Sequence, residues 1–557
     1  MNQKPRIAYF SMEIGVKEEM ETYSGGLGIL AGDTLKSGAD LKMPILGVTL
    51  LHEKGYFKQK IVNGEQQELN ESWNKEEYLT KLDVQVTVSI SGRDVKVGAW
   101  KYELTGISDN KIPIILLDTN IEGNSDYDRT LTSYLYGGDR YYRLCQEVIL
   151  GVGGVKILKE LGYDEIYTYH MNEGHAALLI IELLEQIKEL NPGKSLEEYE
   201  QLIKKKCVFT THTPVPAGHD CFSHEQAMDV LKGYPSVTLK FIDISDGLNM
   251  THLALKFSRF VNGVARRHSQ VSRDMFPGYE IKSITNGVHS RTWVCDELAE
   301  VFNRNISMWN ENPEFLREAL KINDEEIWTA HQSAKKKLIE YINSKYNLDF
   351  NIDTFTVGFA RRATGYKRAS LLFRDIESLK NVSEKGGIQI VFGGKAHPND
   401  TQGKEYIKHI HGLKDQIRGD VKFIYLEDYD MALAKIILSG VDLWLNTPLR
   451  PNEASGTSGM KAAHNGVPSL SVLDGWWLEG CIEGITGWSI GEGYVEGQNQ
   501  DEVDAKSIYE KLEKIIPTYY SNRKEWISIM KHSISVNASY FNTHRMIKEY
   551  VSKSYFF

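Results

Sequence analysis

The chain has 557 residues, 41% of them hydrophobic and 25% charged, and a formal net charge of −10. That length exceeds one ordinary core and predicts two large domains of a soluble protein, while the acidic balance argues against a nucleic-acid-binding face and confines any bound phosphate to a local pocket. Five cysteines, Cys145, Cys207, Cys221, Cys295 and Cys481, lack close pairs or metal spacing and read as the reduced thiols of a cytoplasmic protein. No secretory signal precedes the first strand pattern, and the apolar run 43–51, interrupted by Pro44 and Gly47, is too short to span a bilayer.

Short apolar runs alternate with helical patterns, which predicts α/β architecture with largely parallel sheets. Strands are expected at 6–10, 45–50, 112–117, 166–169 and 207–211, with helices at 29–42, 140–161 and 176–190. The segments 83–90 and 95–104 alternate in twos around Ser91-Gly92-Arg93-Asp94, a hairpin signal. From 291 to 350 the pattern is helical and charged. It leads into a second set of strands at 355–360, 389–392, 422–425, 443–445 and 468–472, followed by a helix from 505 with Ile508, Leu512, Ile515 and Ile516 on one face. The expected division is an N-terminal α/β domain over 1–290 and a C-terminal one over 291–557. The fold class is therefore α/β, two domains facing across a cleft, with the motifs in loops after strands, where open parallel sheets bind ligands.

The most informative motif is Glu453-Ala454-Ser455-Gly456-Thr457-Ser458-Gly459-Met460-Lys461. Its glycines let backbone N–H groups converge on an anion, Thr457 and Ser458 add hydroxyl donors, and a helix opening at Met460 would aim its positive end at the same place. Lys461 then lies one turn from a phosphate, which suits pyridoxal phosphate, a cofactor with both an aldehyde and a phosphate. A capped loop is the competing reading, and a transaminase is open on the lysine alone. A Walker loop is excluded, because Ala462 rather than Ser or Thr follows the lysine.

Other segments carry weaker signals. Arg361, Arg362, Lys367 and Arg368 follow the strand at 355–360, so four cations sit at a strand's carboxyl end, able to clamp phosphate unless they are only a solvated face. Ser24-Gly25-Gly26-Leu27-Gly28 is a second anion cradle or a packing turn. His212 lies in a loop shaped by Pro214, Pro216 and Gly218, and His170-Met171-Asn172-Glu173-Gly174-His175 joins a strand to a helix. No histidine pair has zinc spacing, so no metal is expected. Asn286 in an Asn-Gly turn is suited to a sugar hydroxyl, and Asp474-Gly475-Trp476-Trp477 reads either as a sugar contact or as core.

Taken in order, these segments, together with Leu135 to Asp139, Val261 to Ala265 and Gly393-Gly394-Lys395-Ala396, resemble the α-glucan phosphorylases of glycogen, starch and maltodextrin. The resemblance covers both expected domains. It implies two Rossmann-like domains of the glycosyltransferase B type, and reversible cleavage of terminal α-1,4-linked glucose by inorganic phosphate to give α-glucose 1-phosphate. It also implies that Lys461 carries pyridoxal phosphate as an imine and that the cofactor's own phosphate takes part in proton transfer. By position, Gly25, Gly26 and Leu27 match the loop whose N–H groups face the phosphates, Arg362 and Lys367 match substrate-phosphate ligands, with Tyr366 between them in the substrate site, and Arg361, Thr457 and Ser458 match positions near the cofactor phosphate. His212 matches the residue beside the C6 hydroxyl of the reacting glucose, Asn286 matches another on that sugar, and Glu453, Ser455 and Gly456 match those on its other hydroxyls. Arg361 in place of lysine and Ser458-Gly459 in place of Gly-Asn are departures that retain donors. The short chain implies an enzyme without the N-terminal phosphorylation or effector region of longer relatives, and leaves a homodimer open. A nucleotide-sugar glucan synthase and a non-catalytic glucan-binding relative are the alternatives.

Overall fold

The computed structural model describes residues 4–70, 72–238, 241–414, 416–417 and 421–556. The chain forms two compact units, one made of Met1–Phe57, Asn70–Ile284 and Met546–Phe557, the other of Lys58–Leu69 and Thr285–Arg545. The two crossings are absent from the sequence reading, which drew a single boundary near 290.

In the first unit, β1 (Ile7–Ser11), β2 (Ile45–Leu50), β3 (Thr80–Ile90), β4 (Arg93–Thr105), β5 (Lys111–Asp118), β6 (Thr168–Asn172), β7 (Cys207–Thr210), β8 (Phe260–Gly263) and β9 (Lys282–Ser283) form one sheet in the order β9-β8-β7-β6-β1-β2-β5-β4-β3. The pairs from β9 to β5 are parallel, and the hairpin β3–β4 extends the edge antiparallel. Along β1, Ala8 and Phe10 enter one apolar core while Ile7 and Tyr9 enter another, so both faces of the sheet are covered. The pairing aligns Ser11, Asn172, Thr210 and Asn262 in one polar row at the carboxyl ends of four neighbouring strands. Helix α1 (Gly26–Asp40) connects β1 to β2. The expected helix over 140–161 is interrupted by a π-helical turn at Ile149–Gly153, where a Cβ on Gly151 would lie 2.5 Å from the Leu179 nitrogen.

The second unit holds β10 (Phe355–Ala360), β11 (Ile388–Gly393), β12 (Lys422–Leu426), β13 (Leu443–Asn446), β14 (Ser469–Val472) and β15 (Gly487–Ile490), all parallel, in the order β12-β11-β10-β13-β14-β15. Helices α2 (Asp324–Tyr346), α3 (Thr457–His464) and α4 (Gln500–Ser521) belong to this unit. The apolar face expected on α4 is buried at Ile508, Leu512, Ile515 and Ile516. The loop after β11 is closed by Gly394 at φ +139°, where a Cβ would sit 1.9 Å from the Arg361 carbonyl oxygen. The hairpin Lys58–Val62 with Glu65–Leu69 braces that loop, because Gln59 donates to the Gly394 carbonyl and Gln66 to that of Ala396, each at 2.9 Å.

Candidate active site

The lysine turn follows β13. Helix α3 begins at Thr457, three residues earlier than expected at Met460, because Gly456 turns into the left-handed region (φ +95°) and aligns the next N–H groups at once. No side chain caps α3, so its first N–H groups remain donors with a positive field. Thr457 and Lys461 are four residues apart and share a face, about 6 Å along the axis. Lys461 is buried, its Nζ 3.7 Å from the centroid of the Trp293 ring, and Asn465 ties the two together by donating to both the Trp293 and Lys461 carbonyls. The turn itself is docked by Asp474, which accepts from the N–H groups of Glu453 and Gly475, and by Trp476, whose N–H donates to the Ser455 carbonyl. Trp476 and Trp477 are buried, so of their two readings the core one holds. Ser455 Oγ and Asn286 Oδ1 are buried with no hydrogen-bond partner among the described residues. Ser458 Oγ accepts from the Trp444 indole at 3.3 Å and keeps its own proton to donate. An aromatic-walled lysine one turn from an uncapped helix start, with the orphaned Ser455 hydroxyl in the same turn, fits a phosphate-bearing aldehyde.

The four cations after β10 separate. Arg361 reaches Glu453 through Nη1 at 2.7 Å and Nη2 at 3.0 Å, and Lys367 donates to the same carboxylate at 2.8 Å. Asn446 also accepts from Arg361. Burial would raise the Glu453 carboxyl, but the Arg361 and Lys367 charges outweigh it and hold the group at about 2, so it is ionised. Arg361 and Lys367, read as phosphate ligands, thus meet the carboxylate read as a sugar ligand. Arg362 is exposed, while Tyr366 stacks below the Lys367 ammonium at 4.4 Å. Arg368 is not a phosphate group's neighbour: it pairs with Asp501 and Asp504 and donates to the Thr447 and Pro448 carbonyls, fastening the loop to α4. Asn286 is set by Arg545, which donates to the carbonyls of Thr285 and Asn286, and by Glu479, which accepts from the Thr285 hydroxyl.

The first unit holds the remaining predicted residues. His212 follows β7, and its Nε2 lies 2.6 Å from Asn172 Oδ1. Asn172 donates in turn to Ser11 Oγ, and Ser11 to the Glu13 carbonyl. With the Asn172 amide so assigned, Nε2 carries the proton and Nδ1 is left as the acceptor. Burial, with the imidazoles of His268, His170 and His175, depresses His212 to about 3, so it is neutral at pH 7. In the glycine loop the N–H groups of Ser24 and Gly25 donate to Glu13 Oε2 at 2.6 and 3.2 Å, and Tyr136 donates to Oε1 at 2.8 Å. The Gly25 N–H is therefore engaged by protein, whereas Gly26 and Leu27 open α1. Sequence reasoning missed Glu13 and Trp293, whose contacts only the folded chain reveals, and it named Asp474 as a sugar contact or core, whereas Asp474 docks the lysine turn. His170 is structural, bonded to Tyr555 and Thr210. Among the described residues Glu147, His175 and Asp220 bring ligand atoms within 4.8 Å of one another, but Arg143 lies 4.0 Å from Asp220 and already balances its charge.

Among the described residues no helix is long and apolar enough to cross a membrane. The sequence profile of the family described as "Carbohydrate phosphorylase" matches residues 12–135 and 235–508. The chain is 39% identical to the maltodextrin phosphorylase of Thermococcus litoralis, over 99% of this chain and 70% of that one. It is 36% identical to the glycogen phosphorylase of Aquifex aeolicus, over 99% and 86% respectively. It is 33% identical to the glycogen phosphorylase of Mycobacterium tuberculosis, over 99% and 70%. With matches of this extent, the chain belongs to the carbohydrate phosphorylase family.

Proposed function

We propose that the chain is an α-1,4-glucan phosphorylase. It uses inorganic phosphate to release the terminal glucose of maltodextrin, glycogen or starch as α-glucose 1-phosphate, reversibly and with retention. The observation that carries this reading is the lysine turn, a buried Lys461 one helical turn from an uncapped start at Thr457 and Ser458. That donor set suits pyridoxal phosphate held through Lys461, with its phosphate at Gly456, Thr457 and Ser458 and with Arg361 and Gly26 assigned beside it. When bound, the cofactor supplies a phosphate group able to exchange a proton with the substrate phosphate.

The chain's own residues do the rest. Arg362 and Lys367 neutralise substrate phosphate, a bidentate and a point donor respectively, next to Tyr366. Gly25, Gly26 and Leu27 present the backbone at the start of α1, where the helix field favours an anion. Neutral His212 accepts the C6 hydroxyl proton through Nδ1, and the orphaned Asn286 Oδ1 is an acceptor for a different hydroxyl of the same sugar. Ionised Glu453 accepts from the other hydroxyls, with Ser455 and Gly456 alongside. Clamped phosphate beside the sugar then stabilises positive charge at the anomeric carbon. The reading carries with it a glycosyltransferase B arrangement in which both units contribute to one active site, a cytoplasmic location, and an enzyme open to homodimer formation.

Purified protein supplied with pyridoxal phosphate and a maltooligosaccharide should release glucose 1-phosphate only when inorganic phosphate is present. Chain extension from a nucleoside diphosphate glucose, with no phosphate-dependent release, would replace this reading with a glucan synthase.

A further inference from the structure

Glu173 has a backbone that its side chain does not favour. It stands at φ 73°, ψ 168°, a conformation populated almost only by glycine, between the end of β6 and the helical turn Gly174–Ala176. Strain of this kind persists only where surrounding contacts over-determine it. Here the contacts come from the loop that carries His212. The buried Glu173 carboxylate accepts from the His212 N–H at 2.8 Å and the Thr213 hydroxyl at 3.0 Å through Oε2, and from the Gly174 N–H at 3.0 Å through Oε1. The Glu173 N–H donates to the Thr210 carbonyl, two residues before His212. The neighbouring Asn172 holds the His212 ring itself. At the far end of the loop, Asp220 meets His175 at 3.3 Å, so the segment 172–175 grips the loop at both ends.

We infer that Glu173 is a positioning residue for substrate recognition: its strained backbone aims a buried carboxylate at the His212 main chain and fixes where His212 Nδ1 meets the sugar. A purely packing role would call for an apolar side chain or a glycine at this φ. A carboxyl group with both oxygens bonded, one of them to the loop, is what orientation requires. The inference rests on the proposed contact between His212 and the C6 hydroxyl of glucose, and it adds the residue that sets that contact.

The test compares α-glucose 1-phosphate with its 6-deoxy analogue as donors to a maltooligosaccharide in wild type, H212A, E173G and E173Q, loaded with pyridoxal phosphate. Wild type should prefer the hydroxylated donor in kcat/KM by about tenfold, the worth of one hydrogen bond. H212A should lose that preference. E173G should lose it too, although glycine relieves the φ and its melting temperature should equal or exceed that of wild type. E173Q, which keeps one acceptor, should fold and retain part of the preference, and it decides the matter should E173G not fold. If H212A keeps the full preference, the His212 reading fails and the inference falls with it. If H212A loses the preference while E173G and E173Q keep it, Glu173 is only structural and the inference alone is overturned.

Discussion

Replacing Glu453 with glutamine removes the one charge that holds two buried cations. The carboxyl lies at about 2 instead of its ordinary 4.5, and that displacement corresponds to about 3 kcal/mol of net attraction from its surroundings. Glutamine keeps the shape and one carbonyl acceptor, so the expected loss of stability is about 2–3 kcal/mol, just below the range for breaking a buried ion pair. In a unit of this size that is about 4–12 °C in melting temperature. A second readout isolates the cause. With Glu453 neutral, Arg361 and Lys367 become an uncompensated anion site, and inorganic phosphate at ten times its dissociation constant should restore about 1.4 kcal/mol beyond any gain in wild type. Calorimetric melts of both proteins with and without phosphate make the measurement. A variant that melts within a degree of wild type and gains nothing extra from phosphate would refute the reasoning that Glu453 is the counter-ion of this cluster.

Two further outcomes follow from buried groups and backbone geometry. His52 and His268 are depressed to about 4 and His170 and His212 to about 3, in each case chiefly by burial. Their folded values lie below the unfolded value of about 6.5, so folding favours the neutral form and stability is lost as pH falls through that value. Glu147 opposes them, since burial and Asp220 push its carboxyl well up and it binds a proton that the unfolded chain lacks. Net uptake of about three protons on unfolding predicts a fall of about 4 kcal/mol per pH unit between pH 6 and 5; urea titrations giving a flat or rising profile would contradict it. For Gly456→Ala, the φ of +95° and a Cβ placed 3.0 Å from Trp476 Cδ1 predict a loss of about 1–3 kcal/mol together with weaker pyridoxal phosphate retention. A stable variant that retains cofactor like wild type would show that the turn does not need this conformation.

The parts of the fold legible in the sequence were those set by continuous apolar burial. The strands at 45–50 and 355–360 were read to the residue, because every side chain in them is buried. The strand expected at 166–169 lies instead at Thr168–Asn172, since His170 and Asn172 are polar residues whose hydrogen bonds come from distant segments. The hairpin at Lys58–Leu69 did have a signal, Asn63-Gly64, both residues at positive φ, but its polar strands hid the periodicity. The return of Met546–Phe557 to the first unit had none. An amphipathic helix states that it must be covered, not by what, and only the fold shows Tyr550 and Tyr555 closing on Thr210 and His170. In the candidate site, residue types and order pointed to the lysine turn and the strand-end cations. Which cation meets which carboxylate depended on contacts about 90 residues apart in sequence, which no local pattern encodes.

The most direct measurement of the central claim, that the turn from Glu453 to Lys461 seats the cofactor, is peptide mapping after borohydride reduction of protein loaded with pyridoxal phosphate. The account predicts one pyridoxyl group, on Lys461, and none in a Lys461→Ala variant of unchanged melting profile. A label on another lysine, or equal labelling of the variant, would contradict it.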